Sequence, residues 1–278
     1  MGKSIAGIIS GKKYAAAIIA CALILLILAL AYFSRPQEPQ GPGLKYFELV
    51  MEKQDCPQGA CFVEYIFVSN GMLVKKQYDL PNYQGTPVFE LRNADPAAIS
   101  GLFGAAGRLS SENGNVQNPG SEHNYFFYYD GQNLSAFSMP DPPQAGFALI
   151  FQEAGTAFEN ARDGGGFYIH TYYQPQAGDA QDLHVFSDGT MIKSVFSSLN
   201  NSLLSTSMLR ASGADLQKIS GLASNAAEAA PDSTSCANTG MVYGAVELEF
   251  NRTYAAANTC GSGNGSFSAL FEYLHGKY

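Results

Sequence analysis

Hydrophobic and polar positions alternate along much of the chain, and the alternation comes in short blocks. Residues 45–52 and 62–69 each place an apolar side chain at every second position, the period of a half-buried strand. Asn70-Gly71 interrupts the second block and a third follows. Asn-Gly suits the positive φ angles of a tight hairpin turn, so 62–69 and the next block are predicted to pair. A short strand is expected over 87–92. The period then lengthens. Ile99, Leu102, Phe103 and Ala106 have helical spacing, and Asp95-Pro96 supplies an N-cap and first-turn proline for a helix over 95–109. A hairpin through Asp130-Gly131 and a closing helix over 146–160 complete the set.

The whole pattern then recurs. Val68-Ser69-Asn70-Gly71-Met72-Leu73-Val74-Lys75 parallels Phe186-Ser187-Asp188-Gly189-Thr190-Met191-Ile192-Lys193. Ile99-Ser100-Gly101-Leu102 recurs as Ile219-Ser220-Gly221-Leu222, Phe147 and Phe151 as Phe267 and Phe271, and Phe47 as Phe167. Landmarks in one order at nearly constant spacing predict two homologous repeats, 44–162 and 163–278. In the second, strands are expected over 166–174, 181–187 and 205–210. Helices are expected over 214–229 and 266–275, with a hairpin at Asn251-Arg252. The order β-β-β-β-α-β-β-α predicts an α+β fold, each repeat an antiparallel sheet with two packed helices.

Residues 14–33 break the pattern with twenty uncharged, mostly apolar residues, enough at about 1.5 Å each to cross a bilayer. Lys12 and Lys13 precede this run. The reading is a transmembrane signal-anchor with residues 1–13 cytoplasmic, a Pro-rich stalk over 34–43, and both repeats extracytoplasmic: a single-pass cell-membrane protein. Three alternatives are a cleaved signal ending near Ala31, a lipidated Cys21 and a pilin-type leader.

Cysteine usage fits export. Cys56, Cys61, Cys236 and Cys260 follow the apolar run and form an even set, read as disulfides with three possible connectivities, of which the local Cys56–Cys61 and Cys236–Cys260 pairing is favoured. Asn133, Asn200, Asn251 and Asn264 stand in glycosylation sequons.

Charge narrows the partners. The chain carries 16 basic and 24 acidic residues, and four of the basic ones lie at or before Arg35. Residues 36–278 therefore carry 12 − 24 = −12, which disfavours nucleic acid. No Walker loop, G-x-S-x-G, H-E-x-x-H or dinucleotide fingerprint occurs, so neither an enzyme nor a cofactor is expected. Four histidines remain. His123 and His275 read as surface residues. His170 and His184 lie on strands joined through Gln176-Ala177-Gly178, and a hairpin centred on Ala177 sets them opposite one another, with Asp182 on the same face. Two imidazoles and a carboxylate are a ligand set for Zn²⁺ or Cu²⁺. At the 120 and 118 offsets the first repeat has Val50 and Ile66 in these places, facing each other across a hairpin centred near Gln58. Tyr-rich stretches at 125–129 and 168–173 expose one face of their strands, a composition common at recognition surfaces.

Gly165-Gly166-Phe167 opening a strand, a helix ending near Ala229, a hairpin and a closing helix at Phe267–Leu274 together resemble emfourin-type secreted peptidase-inhibitor domains. The first repeat has Lys45-Tyr46-Phe47 in place of the Gly-Gly-Phe opening. The resemblance implies inhibition of thermolysin-like metallopeptidases. The leading functional expectation is a membrane-anchored, non-catalytic binding protein for a surface protein, peptide or glycan. The alternatives are a peptidase inhibitor and a metal-dependent hydrolase using His170, His184 and Asp182.

Overall fold

The computed structural model describes residues 43–52, 61–78, 87–113, 124–139, 144–175, 178–199, 202–229, 243–260 and 265–278. The first half contains β1 (Tyr46–Glu52), β2 (Phe62–Val68), β3 (Met72–Tyr78), β4 (Val88–Asn93), α1 (Pro96–Asn113), β5 (Asn124–Tyr129), β6 (Leu134–Met139) and α2 (Ala145–Asn160). A two-residue strand, β7 (Arg162–Asp163), leads into the second half. There the order is β8 (Phe167–Gln174), β9 (Ala180–Phe186), β10 (Thr190–Phe196), β11 (Leu203–Arg210), α3 (Gly213–Glu228), β12 (Tyr243–Phe250), β13 (Thr253–Cys260) and α4 (Ser266–Lys277).

The strands form two antiparallel sheets. One runs β6-β5-β1-β2-β3-β4-β7 and the other β11-β10-β9-β8-β12-β13. Strand parity decides what each face meets. On one face of the first sheet, Phe47, Leu49, Tyr65, Phe67, Leu73 and Phe126 pack under α1 and α2. Ile169, Leu183, Val185, Met191, Val246 and Leu248 do the same under α3 and α4. The opposite faces pack on each other: Tyr46, Ile66, Val68, Met72, Val74 and Phe89 bury against Tyr168, Phe186, Ile192 and Met208. The layers are therefore helices, sheet, sheet, helices.

This corrects the α+β expectation. Thirteen strands stand against four helices among the described residues, and the molecule is predominantly β. The reason is the third core. Each sheet was expected to have one helix-covered face and one Tyr-bearing exposed face, but the second face is covered by the other sheet. Tyr168 is accordingly 2% exposed.

The membrane expectation is also withdrawn. Residues 14–33 and the stalk lie outside the described residues, and no described helix is long and apolar enough to cross a membrane. The longest, α1, carries Arg108, Glu112 and several serines, the composition of a helix with one face on a sheet. No described helix supports the transmembrane, signal-anchor or cell-membrane assignments.

Two contacts fix how the sheets meet. The β2–β3 turn touches its counterpart: Asn70 Nδ2 donates to Asp188 Oδ2 at 2.7 Å and to Thr190 Oγ1 at 3.2 Å. Farther along, Lys76 Nζ on β3 reaches Glu247 Oε2 on β12 at 2.6 Å. Cys61 is disulfide-bonded, while Cys56, its expected partner, lies outside the described residues, as do Cys236 and His123.

Candidate metal centre

β8 and β9 pair with His170 directly opposite His184. The two imidazoles stack, ring centroids 4.7 Å apart and planes 10° from parallel. Asp182 sits two residues before His184 and so shares its face. Its Oδ1 lies 3.0 Å from His170 Nε2 and 3.1 Å from His184 Nε2. The three predicted ligands thus converge, with one ligand atom from each inside a 4.8 Å set.

The other nitrogen of each ring is also held. His170 Nδ1 is 2.9 Å from Glu247 Oε2, and His184 Nδ1 is 2.7 Å from the Tyr168 hydroxyl. In the Nδ1–H tautomer both rings donate to these neighbours, and both Nε2 lone pairs point toward Asp182. A carboxylate or hydroxyl behind a ligating histidine fixes its tautomer and raises its basicity. Ligands about 2.0–2.1 Å from a zinc ion lie about 2.9 Å apart at right angles and about 3.4 Å apart at the tetrahedral angle. The observed 3.0 and 3.1 Å fall inside that range.

The site is enclosed but reachable. The His184 side chain is 8% exposed and that of His170 23%. Burial works against a charged His170, but Asp182 and then Glu247 outweigh it and hold the ring well above the ordinary imidazole range. Burial likewise opposes a charged Asp182, yet His170 and His184 hold it well below the usual carboxylate range. Glu247 is lowered to about 2: its burial is overcome by the bond to His170 and by Lys76. A proton on His170 Nε2 and a metal ion would compete for the same position.

Sequence reasoning missed most of the surroundings. Glu247 lies directly across from His170 on β12, visible only once β12 is placed beside β8. Lys76 and Glu48 come from the opposite sheet. Their signal was parity, since both share the strand face of Tyr46 and Val74, not that of Phe47 and Leu73. The equivalence of His170 with Val50 shifts, while that of His184 with Ile66 holds. Tyr46 pairs with Val68, and Tyr168 with Phe186. With Val68 matching Phe186, Tyr46 matches Tyr168, so His170 corresponds to Glu48 and Asp182 to Glu64. Val50 faces Glu64 instead of Ile66.

His275, expected at the surface, is half-buried. Its Nε2 lies 2.9 Å from the Thr171 hydroxyl, on the helix side of the second sheet. A separate cleft of about 300 Å³ beside Arg92 and Arg252 is internally neutralised, with Arg92 paired to Glu90 and Arg252 to Asp163.

Comparison with known proteins finds no matching family, no curated relative and no similar solved structure. None of this bears on the emfourin-type resemblance.

Proposed function

We propose that the chain is a binding protein for a divalent transition-metal ion, zinc first and copper second, held by His170, Asp182 and His184. The observation that carries this is one carboxylate oxygen set between two Nε2 atoms at 3.0 and 3.1 Å, while each Nδ1 has a partner of its own. The nitrogen-and-oxygen ligand set favours zinc or copper over magnesium or calcium, which take oxygen ligands almost exclusively. The ligand differs from the surface protein, peptide or glycan expected from the sequence.

The test is a calorimetric titration of the full chain with Zn²⁺ and Cu²⁺ against a competing chelator. One ion per chain is expected, with copper tighter than zinc as the general order of divalent affinities requires. Asp182→Asn should weaken zinc binding at least tenfold. Absence of binding, or an unchanged affinity in Asp182→Asn, would sink the proposal.

A further inference from the structure

The cleft of about 300 Å³ lies where the two halves of the chain meet. β4 forms one wall, Gly164 and Gly166 the next, and the end of β12 with its turn the third. Backbone bonds fix these walls in place: the Gly164 N–H donates to the Leu91 carbonyl at 2.9 Å, and the Asn251 N–H to the Gly166 carbonyl at 3.0 Å. The volume is that of a small-molecule site, which begins at about 300 Å³.

Both arginines of the cleft are already engaged. Arg92 pairs with Glu90 at 3.0 Å and donates to the Glu159 carbonyl at 3.1 Å, and Arg252 pairs with Asp163 at 2.9 Å. That leaves Glu249, so the lining carries 2 − 3 = −1. Glu249 is only 4% exposed, yet it lines the cleft. Among the described residues it pairs with no cation. Its cross-strand neighbours are Tyr168 and Tyr254, and Lys76 of the facing sheet is held by Glu247 at 2.6 Å. Burial raises the Glu249 carboxyl above its ordinary range, and the Arg252 backbone N–H opposes this only in part. A buried carboxylate without a counter-charge is costly, and a cation entering the cleft removes that cost.

We propose that this cleft binds a primary ammonium group, paired with Glu249, with the adjoining hydrocarbon against Phe89 and Leu91. The site is separate from the metal centre and does not depend on it. An ammonium presents three N–H donors, which a carboxylate accepts directly. A metal ion needs several converging ligand atoms, and among the described residues only His170, Asp182 and His184 form such a group. An anion would enter a lining that is already negative.

The experiment titrates the full chain with n-butylamine near neutral pH, followed by saturation-transfer-difference NMR, with a chelator present throughout so that the metal centre stays out of the measurement. 1-Butanol is the uncharged control. Saturable binding of butylamine is expected, with 1-butanol at least tenfold weaker. Glutamine keeps the shape of the side chain, so Glu249→Gln is expected to give the wild-type circular dichroism spectrum and a melting temperature no lower than wild type. Its affinity for butylamine should fall at least tenfold. Tri-alanine separates two sources of the ammonium: a free amine if butylamine binds the tighter, a peptide N-terminus if tri-alanine does and N-acetylation abolishes its binding. If 1-butanol binds as tightly as butylamine, if Glu249→Gln keeps the wild-type affinity, or if acetylated tri-alanine binds as well as the free peptide, the proposal is overturned.

Discussion

Replacing Lys76 with methionine isolates the electrostatics of the sheet interface. Lys76 Nζ lies 2.6 Å from Glu247 Oε2, and the two side chains are only 12% and 18% exposed. Its ammonium also stands 5.4 Å from the ring centres of both Tyr78 and Phe89. Burial opposes its charge, but Glu247 and Glu64 outweigh that and hold it well above the usual lysine range. Methionine keeps most of the apolar stem and removes only the cation. Breaking a buried pair by deleting one partner costs about 3–5 kcal/mol. Residual solvent access and the proton on His170, which still neutralises Glu247, reduce that to about 2–3 kcal/mol. Urea unfolding followed by circular dichroism measures the loss. A double-mutant cycle with Glu247→Gln should give a coupling of at least about 1.5 kcal/mol, since the residues share one network. Zinc binding should move the other way: without a competing cation, the variant should bind Zn²⁺ more tightly than wild type. A loss under about 0.5 kcal/mol, or strict additivity in the cycle, would show that the pair does not join the sheets.

Three further outcomes follow from individual contacts. Tyr168→Phe removes the hydroxyl 2.7 Å from His184 Nδ1 and should cost about 1–2 kcal/mol of stability and about tenfold in zinc affinity; an unchanged affinity would take His184 out of the ligand set. Gly71→Ala should destabilise by about 2 kcal/mol or more, because φ is +101° and the new Cβ would lie 2.3 Å from the Ala94 carbonyl oxygen, whereas Gly189→Ala, with its nearest atom at 3.5 Å, should cost only about 1 kcal/mol; equal losses by urea unfolding would contradict this. Burial and then Lys193 lower His275 to about 4, against the pull of Asp182, so the folded ring stays neutral where the unfolded one takes a proton. Its stabilisation is therefore full above about pH 6.5 and lost as the pH falls toward 4, by about 3 kcal/mol, and His275→Phe should flatten that part of the wild-type profile.

How much of this could be read from the sequence depends on the range of the interaction. Asn70-Gly71, Asp188-Gly189 and the Asp95-Pro96 cap act locally, and turns and a helix occur at those places. His170 and His184 could be set opposite each other because a short hairpin fixes its own register. The neighbour of β8 on its other side, β12, arrives more than 65 residues later, so Glu247 could not be placed. Val50 was matched to His170 through a constant offset of 120, but the β1–β2 connection is four residues longer than the β8–β9 connection, and Glu48 takes that place. Sheet-on-sheet packing was hidden for another reason. A strand face carrying Tyr, Glu, Lys and His looks solvated, although here Lys76, Glu247, His170 and Asp182 pair with one another and the tyrosines fill the interface. That misreading made a predominantly β sandwich look like α+β.

The most direct test of the metal centre is zinc K-edge X-ray absorption on the full chain loaded with one equivalent of Zn²⁺. The account predicts a first shell of nitrogen and oxygen at about 2.0–2.1 Å, with the outer scattering of two imidazoles, one of them lost in His184→Ala. A sulfur shell near 2.3 Å, or a shell of oxygen alone without imidazole scattering, would place any bound zinc elsewhere and contradict the site at His170, Asp182 and His184.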